Sequence, residues 1–149
     1  MDTLNLPPYQ IKTRVSQGHT QIFDVLRRRY VALTPEEWVR QHFIHYLIEH
    51  KNYPSALLAN EVTLRIGGKN IRADSILYNQ FLQPKMIIEY KAPHIPITQK
   101  TFHQIATYNL KLHVDFLIVS NGIETYICKM DYEQISYQFL ESVPDYQNI

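Results

Sequence analysis

Asp74, Glu89 and Lys91 stand in the most apolar part of the chain, the stretch NIRADSILYNQFLQPKMIIEYKAP at residues 70–92. Two runs of Ile, Leu, Met and Tyr there predict adjacent β-strands. Side chains alternate along a strand, so Glu89 and Lys91 point to one face and Tyr90 to the other. An aspartate on the neighbouring strand can sit opposite them. A buried ion triad is a poor stabiliser, often weaker than the apolar residues that could replace it. Two converging carboxylates and a lysine have a chemical use instead. Hard carboxylate oxygens bind Mg²⁺ or Mn²⁺, and an ammonium orients a water or offsets developing negative charge.

The elements around these residues predict how they are positioned. LTPEEWVRQHFIHYLIEHKNYP reads as a helix, with Thr34 as N-cap, Pro35 in the first turn, and Glu36 and Glu37 where the helix dipole favours negative charge. ANEVTLRI and NIRADSILYN form a hairpin through GGK, and KMIIEYKAP is a third strand. ITQKTFHQIATYNLKLHV is helical. DFLIVSNG is almost wholly apolar, as in a sheet covered on both faces, and ETYICKMD returns through Asn121-Gly122. The order α-β-β-β-α-β-β predicts an α/β fold, a mixed sheet flanked by helices, since a helix between two strands implies a crossover. Residues 1–33 read as an N-terminal extension with one short strand near Gln21–Leu26, and 34–149 as a single domain. The tail VPDYQNI reads as frayed.

Asp74 followed by Glu89-Tyr90-Lys91 resembles the D…ExK core of the PD-(D/E)xK nuclease superfamily, where the acid lies on the second strand and ExK on the third. RAD stands in place of the nominal Pro-Asp. QIATY places Gln104 and Tyr108 four apart, on one helical face, and resembles the QxxxY motif of RecB-type nucleases. Across residues 34–122 the pattern resembles the N-terminal nuclease domain of the R subunit of type I restriction enzymes. The resemblance implies a restriction-endonuclease-like core and a Mg²⁺- or Mn²⁺-dependent nuclease acting on nucleic acid, with DNA the expected substrate. Asp74, Glu89 and the Tyr90 backbone carbonyl would hold the metal. Lys91 would position water or offset charge, and Gln104 would assist. The alternative is a catalytically silent module of the same fold that binds DNA or a protein partner. No GxxxxGK[ST] occurs, so translocation or specificity would fall to a separate motor or specificity subunit. Cleavage of both strands would suit a homodimer.

A further carboxylate on the first helix is expected, and Glu36, Glu37 and Glu49 compete for the place. Glu37 lines up with Ile44 and Ile48 and points toward the sheet. Glu49 falls among Trp38, His42 and His45 on the other side, so Glu37 is the choice. Glu61, on the first strand of the hairpin, is an outside candidate. His42 and His45 lack a third ligand of suitable spacing for zinc.

Composition excludes little more. The chain has 149 residues, a net charge of +1 and one cysteine, Cys128, which can form no internal disulfide. The start MDTLNLPPYQIKTR has no apolar core segment, and no run approaches a membrane span, so a cytoplasmic location is expected. Arg27 to Arg29, with Lys12 and Arg14 upstream, form the strongest basic cluster, which reads as a solvated face before a phosphate site.

Overall fold

The computed structural model describes residues 1–110 and 112–149. The predicted helix is α1, Pro35–His50. The Thr34 hydroxyl accepts a hydrogen bond from the Glu37 amide, Pro35 fills the first turn, and the Lys51 amide closes the far end on the Leu47 carbonyl. The predicted hairpin is β4, Leu58–Ile66, and β5, Lys69–Tyr78, followed by β6, Pro84–Tyr90. The second helix, α2, runs Gln99–Leu110, ending earlier than the periodicity suggests. His113, beyond it, takes a positive φ that turns the chain toward β7, Phe116–Ser120. β8 spans Thr125–Asp131.

β4 to β9 form one sheet in chain order; β9, Ser136–Leu140, is an edge strand that the sequence pattern did not signal. Its residues are mostly half-exposed, so no apolar run or clean alternation marks it. Only the β6–β7 pair is parallel, with α2 making the crossover; the other neighbours in this sheet are antiparallel. Helix α1 covers one face: Val39, Phe43 and Leu47 pack on Leu77, Met86, Ile88 and Ile118. Helix α2 covers the other: Phe102 and Ala106 pack with Ile76, Ile87, Leu117 and Val119. Every side chain of β7 is consequently buried, as its unbroken apolar run requires. Each Ile or Leu so covered contributes about 1.5–3 kcal/mol.

The first 33 residues hold more than one strand. β1, Thr13–Ser16, β2, His19–Asp24, and β3, Arg29–Ala32, form a small antiparallel sheet. Ile22 and Asp24 on it are fully buried. Upstream, Tyr9 stacks on His45 at 3.8 Å and meets His42 edge-on at 4.8 Å, while Trp38 Nε1 donates to the Asp2 carbonyl. The face of α1 opposite the sheet is therefore also covered, and His42 is buried there. The tail is not frayed: Val143 joins the core, Tyr53 donates to the Pro144 carbonyl at 3.0 Å, and Tyr146 packs on Tyr53. No helix among the described residues is long and apolar enough to cross a membrane.

Candidate active site

Ser75 on β5 pairs with Ile88 on β6, so one further step of the ladder sets Asp74 opposite Glu89. Burial and the neighbouring Asp74 push the Glu89 carboxyl up to about 8, against the pull of Lys91. In β6 the even positions Met86, Ile88 and Tyr90 face α1, while Ile87 faces α2. Glu89, in register with Val119, lies on the α2 side with Lys91 beyond it. The Lys91 amide donates to the Ser120 carbonyl at 2.9 Å, which fixes the strand end that carries its side chain. The three expected residues thus come together on two adjacent strands.

Tyr90 braces this pair through its backbone. Its amide donates to Asp74 Oδ2 at 2.9 Å. An extended residue points N–H and C=O to the same edge, so the Tyr90 carbonyl also faces the Asp74 side.

Behind the site runs a closed ring of polar contacts. The Tyr90 hydroxyl donates to Ser75 Oγ, and Ser75 Oγ donates to Asn60 Oδ1. Asn60 Nδ2 donates to both oxygens of Asp24, which is paired with Arg27. Arg27 reaches Glu37 at 3.0 Å, and Glu37 pairs with Arg40 at 2.5 Å. Arg40 Nη1 then donates to the Asp74 carbonyl at 3.0 Å, returning the ring to the site. Burial alone would raise the Asp24 carboxyl, but hydrogen bonds from Arg27 and Asn60 outweigh it and hold the group low. These residues compensate one another, as buried charges must.

Glu37 therefore points inward, as its helical stripe predicts, but it is one step removed from Asp74. Arg27, Arg40 and Gln41 take up its oxygens, so its contact with the site passes through Arg40. Glu36 is exposed, and Glu49 is largely solvated beside His45. Glu61 is nearer than expected. It stands opposite Asp74 on β4 with φ +55, a backbone conformation that disfavours non-glycine residues, and its carboxylate binds Arg40 and Arg72. Gln104 and Tyr108 are exposed on α2, and no hydrogen bond joins either to the carboxylates among the described residues. Arg40, which joins Glu37 to the Asp74 carbonyl, is the residue beside the site that sequence reasoning missed. Its signal was an arginine three residues after Glu37 on the sheet-facing stripe.

The donor set suits a hard divalent cation. Two carboxylates on facing strand positions offer their oxygens to one cation. Among the described residues no cluster of three or more His, Cys, Asp or Glu side chains forms a metal cage. Two carboxylates and a carbonyl leave positions open for water and phosphate, which is how Mg²⁺ is commonly held.

A mixed sheet covered by one helix on each face, with an aspartate opposite a Glu-x-Lys strand, defines a restriction-endonuclease-like fold. The chain belongs to the family of the type I restriction enzyme R protein N terminus (HSDR_N), which it matches over residues 35–144. Among solved structures, a fragment assigned as an HsdR subunit of a type I restriction enzyme from Vibrio vulnificus YJ016 superposes with a TM-score of 0.53 at 21% identity. The match covers 75% of this chain and 24% of that one, and the chain thus spans about a quarter of that relative. No curated protein matches the sequence.

Proposed function

We propose that the protein is a metal-dependent nuclease that hydrolyses phosphodiester bonds in DNA, in a restriction-related role. The observation that carries this reading is the placement of Asp74 opposite Glu89 on adjacent strands, with Lys91 at the end of the second. Asp74, Glu89 and the Tyr90 carbonyl would hold Mg²⁺ or Mn²⁺, which when bound supplies Lewis acidity and a water of lowered pKa. Tyr90 N–H fixes one oxygen of Asp74, so the carboxylate is oriented before substrate arrives. Lys91 offsets the charge that develops on the phosphate and orients the attacking water. Arg40 anchors the Asp74 backbone and carries no contact to substrate in this scheme. Because the related fragment is titled a subunit of a type I restriction enzyme, DNA and other subunits of such an enzyme are the partners this reading implies.

Supercoiled, linear, single-stranded and branched DNA, incubated with Mg²⁺, Mn²⁺ or EDTA, test the reading. Cleavage should require the ion and be lost in Lys91→Ala. Intact substrate in every arm, with the protein folded, would leave the silent binding module in its place.

A further inference from the structure

The basic cluster at the start of the chain is unused by the site, and it lies outside the 35–144 family match. Residues 12–32 carry five cations (Lys12, Arg14, Arg27, Arg28, Arg29) and one anion (Asp24), a net of +4. With +1 for the whole chain, the remaining residues sum to −3. Arg27 is consumed by Asp24 and Glu37, whereas Lys12, Arg14, Arg28 and Arg29 are exposed and have no carboxylate partner among the described residues.

Two of these side chains, Lys12 and Arg14, are also held in place. The β1–β2–β3 register puts Arg14, Gln21, Phe23 and Tyr30 on the outer face, opposite the side that buries Ile22 and Asp24. Arg14 Nε donates to Gln21 Oε1 at 2.7 Å, and its guanidinium lies 4.1 Å from the Tyr30 ring centre. Lys12 lies over Phe23 at 5.6 Å. A guanidinium held by stacking and one hydrogen bond keeps its other donors aimed outward at little further entropic cost. Both rings are half-buried and covered by cations, so they offer no platform for an unpaired base.

We infer that the outer face of the N-terminal sheet, with Lys12 and Arg14, together with the β2–β3 turn that carries Arg28, is a docking surface for the phosphate backbone of duplex DNA. The inference rests on the nuclease reading of the site, to which the sheet is joined by the Asp24–Arg27–Glu37–Arg40 contacts. Contacts of this kind position a duplex without reading its sequence.

Binding of a labelled duplex, followed by anisotropy in EDTA across a salt series, tests the surface without cleavage. Each phosphate contact contributes about −0.9 to the slope of log K against log salt. Arg14→Ala/Arg28→Ala should make the slope shallower by roughly 2, and Arg14→Lys/Arg28→Lys should restore it. Lys129→Glu makes the same net charge change at the exposed end of the main sheet and should leave the slope near wild type. An unchanged slope in the alanine variant, or an equal change in Lys129→Glu, overturns the surface. Tighter binding of single strands than of duplex of equal length overturns the choice of partner. Cleavage without this slope change sinks only the surface; duplex binding with this slope change and no cleavage sinks only the nuclease.

Discussion

At the scale of single residues, the site turns on where one proton resides. Glu89 in the unfolded chain ionises near its ordinary 4.5, and in the fold near about 8. Between those values the unfolded chain binds fewer protons than the native one, so stability falls as pH rises through the window and levels off above it. The slope is at most about 1.4 kcal/mol per pH unit. Urea unfolding in EDTA at pH 5 and pH 8 should show the loss, Glu89→Gln should abolish it, and Mg²⁺ should remove it at pH 8. Equal slopes in wild type and Glu89→Gln would exclude a raised Glu89 carboxyl. Lys91→Ala separates charge from coordination. Lysine is no metal ligand, so Mn²⁺ titration should stay near wild type while cleavage falls by on the order of 10²–10³. Asp74→Ala should lose the Mn²⁺ signal itself. Equal loss of Mn²⁺ binding in both variants would refute this division of roles. All three positions were legible in the sequence, because charges in apolar strands stand out. Their support was not. Arg40 reaches Glu61 21 positions away and Asn60 reaches Asp24 36 positions away, and no local pattern announces such a pairing.

At the scale of elements, α1 is the member whose reading changes most between sequence and structure. Its caps and sheet-facing stripe follow from the residues, yet the side of Trp38, His42 and His45 is covered by Tyr9 and the Asp2 carbonyl. The helical period shows which residues share a side, but not that a distant segment returns to cover it. Glu37 sits between Arg27 and Arg40, so Glu37→Gln leaves two cations short of a partner. Breaking a buried pair costs about 3–5 kcal/mol. Chemical denaturation should read a loss of that order, against about 0.5 kcal/mol for the solvated Glu49→Gln. A neutral Glu37→Gln would mean that the polar ring bears no weight. The β7–β8 turn offers a second check. Asn121 Oδ1 accepts from the amides of Ile123 and Glu124, and Gly122 takes φ +83. A Cβ at Gly122 would come within 2.7 Å of Leu4 Cδ2. Gly122→Ala should therefore destabilise by more than the roughly 1 kcal/mol of backbone strain alone, and Leu4→Ala should recover part of the loss.

At the scale of the whole molecule, the six-stranded sheet was largely legible, since its hairpin, crossover and apolar β7 each carry a local signature. The N-terminal sheet, β9 and the packed tail were not, because half-exposed strands have no clean period and the tail is held by distant Tyr53 and Lys51. Removing residues 1–33 should consequently do more than trim an appendage. It would strip Asp24 from Asn60 and Arg27 from Glu37 and uncover His42, so the remaining chain should lose cooperative thermal unfolding; a sharp transition at the wild-type midpoint would show an independent core. The same wrapping bears on how the protein is made. The Asn5 amide bonds the Gly122 carbonyl, and Asn5 Nδ2 reaches the Ile123 carbonyl 118 positions along the chain. At translation rates of about 5–20 residues per second, Leu4 and Asn5 wait roughly 6–24 s for the turn that receives them. During that interval Leu4 is an apolar group without a home on a nascent chain. This early segment is thus among the last to dock, and it is a stretch on which a holding chaperone would act.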